Sequence, residues 1–387
     1  MSTLKVGGIR GVSASSDAIT VANDGTCTAN ITNNLSNRNL VINGAMQVAQ
    51  RGTSSTSSGF HTVDRFEVEY SGTDEAPTQA QVDVSAGTTP YTNGFRKSFK
   101  ITNGNQTGGA GASDRIRYRY KFEAQDIATS GWNYTSASSF VTLSFWVKSS
   151  VAQNFYGAFL TMDGSQQEYS FETGSLSADT WTKITKTIPG NSNLTFNNDT
   201  GHGLQFNLFA FLGTNNTGST TMNQWAAFDN SARTPNNTST WYTTNDATLE
   251  LTGMQLEVGS VATDFEHRSF AQELALCQRY FCAYGSTVDT IQNGDRLGCG
   301  ISTGSNTAIV TIPTGSKLRA FPTVSFSSGI TVNDAAGGPD VSSVSRSVAY
   351  NGHAQIQFVT NPSSLTSGNA AHIRFESTSY LHLSAEL

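Results

Sequence analysis

Three acidic residues lie close together in "MDGSQQEYSFE" (162–172): Asp163, Glu168 and Glu172. Paired carboxylates are the working groups of glycoside hydrolysis, one as acid and one as nucleophile or base. Glu168 and Glu172 are an even number apart, so a continuous strand puts both on one face, about 13 Å apart at the usual rise. Glycosidase pairs sit roughly 5–9.5 Å apart. "MDGSQQ" reads instead as a hairpin turn, with Gly and Asp supplying the turn chemistry. The six histidines (His61, His202, His267, His353, His372, His382) show no metal-ligand spacing. His267, between Glu266 and Arg268, suits a capping or ion-pair role. The expectation is a protein that is not an enzyme.

Binding needs less than catalysis. Sugar rings offer apolar C–H faces and polar edges, so aromatic platforms beside amides and carboxylates hold them. Aromatics in loop-like stretches are the glycan-binding candidates: Trp132 and Tyr134 in "GWNYT", Trp225 in "MNQWAAF", Trp241 and Tyr242 in "STWYTTND". The alternative is that these rings plug the ends of a sandwich or pack between chains. Trp146 and Trp181, flanked by strand signals, read as structural. Asp64 and Asp163 are the acidic candidates for a structural Ca²⁺, but no EF-hand-like ligand string exists. No cofactor and no metal is expected.

Charge narrows the partners. The net charge is −6, and Lys and Arg form no block interleaved with aromatics, so nucleic-acid binding is not expected. "DRIRYRY" (114–120) alternates Arg115, Arg117 and Arg119 with Ile116, Tyr118 and Tyr120, the pattern of a strand with one solvated face. Charged residues make up only 13% of the chain, while Gly numbers 36 and Phe 22. That balance favours a rigid β protein with many tight turns over disorder. Four cysteines, Cys27, Cys277, Cys282 and Cys299, are too few for a disulfide scaffold. No apolar h-region opens the sequence and no run spans a bilayer, so membrane insertion is not expected.

The elements that position these residues are strands. "FVTLSFWVKSS" (140–150) places Val141, Leu143, Phe145 and Val147 on one face. "GLQFNLFAFLG" (203–213) places Leu204, Phe206, Leu208, Ala210 and Leu212 on one face, with Phe209 and Phe211 opposite. Its second half is therefore expected to be buried on both sides. In "ATLELTGMQLEVG" (247–259) the apolar phase changes at Gly253, and a β-bulge there restores a single buried face. Strands separated by Gly, Asn, Asp and Ser turns, with no helical pattern between them, imply an all-β fold: an antiparallel jelly roll or β-sandwich. Residues 1–38 are poor in aromatics, and "NDG" within 17–31 suits a hairpin turn. Residues 285–387 read as a smaller C-terminal β-sandwich. One segment breaks the pattern. "TDFEHRSFAQELALCQRYFCAY" (263–284) reads as a helix, with Phe270, Leu274, Cys277 and Phe281 in one stripe and Leu276, Tyr280 and Tyr284 in a second. Glu273 lies four after Ser269, off capping-box spacing, and Gly285 can end the helix. Two stripes need two partners, so this connector, residues 264–284, is expected to carry assembly through Phe270, Leu274, Cys277 and Phe281.

"NLVINGAMQVAQRG" (39–52), "TVDRFE" (62–67), "VTLSFWVKSS" (141–150), "WTKITKTIPG" (181–190) and "LTGMQLEVGSVATDFEHRSFAQELALCQRYF" (251–281) together resemble a module of bacteriophage fibre proteins, common in phages of marine bacteria and cyanobacteria. The likeness covers about two-thirds of the chain, and the last motif is the most specific. Where the family often has Pro in "ATPFE", this chain has Asp264. "DAITVANDGT" (17–26) is similar, more weakly, to the start of virion-attached fibres. The resemblance implies a virion structural protein made in the host cytoplasm. It implies a trimeric tail fibre whose carbohydrate-binding-like jelly roll (39–263) attaches to host-surface glycan. Residues 1–38 would join other virion proteins, and residues 285–387 would form the tip. Two other readings stand beside it: a non-adhesive structural fibre or capsid decoration, and a polysaccharide depolymerase. The absence of 20–30-residue β-helix repeats argues against the last.

Overall fold

The computed structural model describes residues 6–12, 15, 17–21, 27–29, 37–285, 294–335, 338–376 and 379–387. Three short strands open the chain: β1 (Gly8–Ile9), β2 (Ile19–Val21) and β3 (Cys27–Ala29). They pair antiparallel in sequence order. The "NDG" turn expected between the last two lies outside the described residues.

The next segment is a two-layer sandwich. Its strands are β4 (Ser54–Ser55), β5 (Phe66–Ser71), β6 (Thr78–Asp83), β7 (Lys97–Thr102), β8 (Arg115–Glu123) and β9 (Phe140–Ser149). They continue with β10 (Asn154–Thr161), β11 (Gln167–Ser175), β12 (Thr182–Pro189), β13 (His202–Leu212), β14 (Trp225–Ala227) and β15 (Thr248–Val258). One six-stranded sheet runs β14-β11-β10-β13-β8-β5 and the other β12-β9-β15-β7-β6-β4. The inward faces meet in one apolar core containing Phe66, Phe99, Tyr118, Phe145, Phe159 and Phe206. Each such side chain contributes about 1.5–3 kcal/mol on burial. Three short helices decorate the sandwich: α1 (Thr89–Thr92), α2 (Ala124–Ala128) and α3 (Thr240–Thr243).

Two register breaks show how local sequence serves this core. In β15 the pairing with β9 shifts between Thr252 and Gln255. Gly253 sits at φ +62° at the break, and Leu249, Leu251, Met254 and Leu256 are all buried. The bulge expected there is present. In β13 the pairing with β8 shifts between Phe209 and Phe211. Both sides of the second half are buried, as expected, but the bulge exchanges two residues: Phe211 joins the inner core, while Leu212 joins Phe209 and Ala158 in a small outer cluster.

The connector is shorter than the sequence suggests. Its helix α4 covers Phe270–Cys277. Residues 281–284 are instead strand β16 (Phe281–Tyr284), because they pair with β24 (Leu381–Ser384), a partner a hundred residues on. Ser269 does close a capping box, with Gln272 rather than Glu273. The C-terminal module is all-β, and its strands close on themselves. β17 (Arg296–Ser302), β18 (Thr307–Pro313), β20 (Ile330–Asn333), β21 (Asp340–Tyr350), β22 (His353–Asn361) and β23 (Ala370–Phe375) form a barrel rather than two open sheets. β19 (Thr323–Phe326) joins β24 and β16 in a three-stranded sheet beside it.

Candidate functional site

The loop aromatics chosen from sequence point mostly inward. Trp241 is fully buried, and its indole N–H donates to the Thr248 carbonyl at 3.0 Å. Tyr242 stacks on Phe211 at 4.3 Å between ring centroids and donates to Asp114. Trp225 donates to the Pro189 carbonyl at 2.7 Å, and Trp132 is buried against Phe196. These four rings plug the sandwich ends and present no face to a sugar; Tyr134 alone of the five is half-exposed, edge-on to Phe196. The acidic set is likewise engaged. "MDGSQQ" is a hairpin turn between β10 and β11, in which Asp163 accepts from the amide groups of Asn197. Glu168 is buried and paired with Arg233, and Glu172 accepts from Asn154. Asp64 is buried among Gln50 and Arg51. Among the described residues no three His, Cys, Asp or Glu converge as a metal group. His267 lies 2.9 Å from the Asn93 carbonyl, its ring against Phe95 and Phe265.

The connector divides its apolar surface. Cys277, Tyr280 and Phe281 are buried within their own chain, Leu274 is half-buried, and Phe270 and Leu276 are 49% and 37% exposed. Of the four residues expected to carry assembly, Cys277 and Phe281 therefore face their own chain. Leu276 lines a groove of about 1410 Å³ with Leu40, Ile42, Phe265 and Ala275 on its apolar side. Asp126 also lines it, its carboxyl pushed up to about 6 by burial and by neighbouring Glu123.

Behind the groove lies a joint that ties segments far apart in sequence. The Asn43 amide N–H donates to Glu273 at 2.8 Å, and its side chain bridges the Val48 and Asp64 carbonyls. Arg268 pairs with Glu273 at 3.0 Å. Asn39 donates its N–H to Glu266 at 2.8 Å, and the Asn39 side chain accepts from Leu256. Gln50 reaches the Phe281 carbonyl at 2.8 Å. From the far module, Glu386 pairs with Arg65 and, at 3.1 Å, with Arg51. The Arg65 guanidinium lies 3.4 Å from the Tyr280 ring centroid. Arg279 grips Glu123 with two bonds of 2.7 and 2.8 Å. Each partner offsets a burial cost that would otherwise be severe.

The remaining chemistry sits on the outer face of the β14–β5 sheet, which sequence reading took for a simple solvated face. β8 sends Arg117, Arg119 and Lys121 outward, in register with Glu69 and Glu67 of β5 and with Gln205, Asn207 and Phe209 of β13. Tyr156 of β10 stands opposite Phe209, half-exposed. The loop after β14 folds over one side, setting Arg233 over Phe209 and onto Glu168. The face thus combines one partly open ring and a row of cations, with the amides of Gln205 and Asn207 buried between the strands' side chains. Polar hydrogen-bonding groups beside an aromatic ring are what carbohydrate recognition uses.

No protein-family model matches the sequence, and no curated protein matches it. Solved structures share the fold at a distance. The enzymatically active domain of bacteriophage CBA120 tailspike protein 4 superposes over 57% of this chain at 10% identity and a TM-score of 0.32. This chain spans about a fifth of that domain, 21% of its length. A CBM4 module matches 56% of this chain and 98% of its own, at 13% identity and a TM-score of 0.28. The N-terminal cellulose-binding domain of Cellulomonas fimi β-1,4-glucanase C matches 56% and 99%, at 10% identity and a TM-score of 0.26. Likeness at this distance carries no conclusion about ligand or activity. No helix among the described residues is long and apolar enough to cross a membrane.

Proposed function

We propose that this protein is a virion fibre component whose jelly roll adheres to host-surface glycan without cleaving it. The observation that carries the adhesive reading is the outer face of the β14–β5 sheet. There the half-exposed Tyr156, Arg119 and Lys121 project from rigid strands, and binding groups placed on strands are held more precisely than groups on loops. The fibre reading rests on the sequence resemblance and on the joint, where three of the five resembling motifs, 39–52, 62–67 and 251–281, come together. In this reading residues 1–38 attach to the particle, and three copies meet beside α4, where Phe270 and Leu276 lie open. The full-length protein on a glycan array tests adhesion: a folded oligomer that binds no sugar overturns it. Light scattering tests assembly, and a stable monomer at micromolar concentration overturns the trimer. A second reading, a non-adhesive spacer, is favoured by one observation: the buried Trp132, Trp225, Trp241 and Tyr242 stiffen the sandwich rather than face outward.

A further inference from the structure

Of the five tryptophans, three close their own polar edge. The indole N–H groups of Trp132, Trp225 and Trp241 donate to the backbone carbonyls of Ser139, Pro189 and Thr248. Trp146 and Trp181, which sequence reading took as structural, differ. Both are half-buried, and their indole N–H groups have no partner among the described residues and stay within reach of solvent. A buried indole finds a partner for that donor; an open one leaves it for a ligand.

Strand register brings the two rings to one surface. Trp146 of β9 stands opposite Lys183 of β12, and Trp181 lies two residues before Lys183. Residues two apart on a strand point the same way, and the Lys148 ammonium lies 5.2 Å from the Trp181 ring centroid. Trp181, Trp146 and Lys148 therefore share the outer face of the β12–β4 sheet, while Phe145, Val147 and Ile184 face the core. Diagonal neighbours of this kind have backbones about 7–8 Å apart. Each ring is held from its own side. Lys148 is anchored to Glu250 at 2.9 Å, and Glu250 also accepts from Ser98 at 3.0 Å. Trp146 packs against the small cluster of Ala45, Val84 and Phe95. A platform fixed in advance loses little freedom on binding.

The surroundings decide the kind of partner. Lys183 and Thr252 flank Trp146 across the strands, and the Lys148–Glu250 pair flanks Trp181. A surface made for another protein is apolar at its centre. Separate flat rings set in polar ground suit a sugar, which offers a C–H face to stack and hydroxyls to bond.

We propose that Trp146 and Trp181 form a second glycan platform, for a neutral chain of pyranose rings whose hydroxyls are all equatorial. The flat C–H faces stack on the indoles, and a hydroxyl oxygen accepts from an indole N–H. The site shares with the adhesive reading above the premise that the jelly roll holds glycan, and it adds a separate face with its own ligand class.

The full-length protein is titrated with neutral polysaccharides, followed by tryptophan fluorescence and acrylamide quenching. β-Glucans and xylans are all-equatorial; mannans and galactans each carry an axial hydroxyl. The expected result is an emission shift and protection from quenching with a glucan or xylan, at an affinity that salt leaves unchanged. Trp181→Ala and Trp146→Ala each weaken binding about tenfold, Trp181→Phe recovers part, and Tyr156→Ala on the opposite sheet has no effect. Should Trp146→Ala lower the melting temperature strongly, Trp181→Ala and Trp181→Phe carry the test. Tighter binding to mannan or galactan overturns the ligand class. Glycan binding that both tryptophan variants retain overturns the platform while leaving adhesion intact; no binding to any polymer, neutral or charged, sinks both. Loss of the oligomer in the double alanine variant, with glycan binding unchanged, assigns the rings to contact between copies and overturns the proposal.

Discussion

Glu386→Ala should uncouple the two modules at a measurable cost. Glu386 sits in the last stretch of the far module, yet it pairs with Arg65, 321 positions earlier. The two side chains are only 7% and 1% exposed. Without the carboxylate, Arg65 keeps the Lys121 carbonyl at 2.7 Å and the Tyr280 ring, but no ion-paired carboxylate. Breaking a buried pair from one side costs about 3–5 kcal/mol, because the surviving charge stays desolvated. Arg51 suffers less, since Asp64 remains 3.6 Å away. A loss of about 3 kcal/mol lowers the melting temperature of a domain this size by roughly 6–12 °C. The assay is urea unfolding followed by tryptophan fluorescence. All five Trp residues lie between positions 132 and 241, so the signal comes from the jelly roll alone. A mutation in the far module that shifts this signal demonstrates coupling. Arg65→Met combined with Glu386→Leu should recover much of the loss, since a buried ion pair is often replaceable by apolar side chains. A shift below about 1 kcal/mol for Glu386→Ala, the size of an exposed pair, would refute the claim that this contact joins the modules.

Gly253→Ala should destabilise by about 2 kcal/mol or more in denaturant titration, because a Cβ at φ +62° would also lie 2.6 Å from the Phe95 ring. Asp64→Asn should change the pH dependence of stability. Burial pushes the Asp64 carboxyl up to about 6, so the folded state holds its proton where the unfolded state has lost it. The stability of wild type relative to the variant is then greatest below pH 4 and falls as pH rises through 6. His202 and His382, pushed down by burial to about 3 and about 4, act in the opposite sense, losing stability as pH falls through 6.5. Subtracting the variant's profile isolates Asp64. Trp241→Ala should cost about 3–5 kcal/mol while leaving glycan affinity of the folded fraction unchanged. Phe270→Ser with Leu276→Ser should shift light scattering to monomer with a melting change under about 1 kcal/mol, since both side chains are exposed in a single copy.

Period-2 patterning made the sandwich legible. β9 and β15 read directly from alternation, and the bulge at Gly253 from its change of phase, because sheet facing is a local property of the chain. What depended on distant partners was not legible. Residues 281–284 fit a helical stripe, but β24 claims them as a strand. "DRIRYRY" showed a polar face and gave no sign of the carboxylates that share it, which come from β5 and from β11. Trp241 and Tyr242 sit amid turn residues, and only the packed fold shows them folded back beneath β13 and Asp114. β17 and β21 escaped notice because Gly298, Gly300 and a run of serines blur the alternation. The closed barrel escaped for the same reason.

Of the residues that carry the family resemblance, Glu67 lies on the sheet face, but many others meet at the joint. Asn39, Asn43, Gln50, Asp64 and Arg65 from the first two motifs meet Glu266, Arg268, Glu273 and Phe281 from the last. Their bonds are to backbone groups and to each other, buried and reciprocal, so few other side chains could take any one place without stranding a partner. The face bearing Arg119 is held by strand register and by cross-strand ion pairs such as Arg119 with Glu67. The likeness therefore describes how a jelly roll is fastened to its neighbour. What the face bearing Arg119 recognises is something the likeness leaves unspecified.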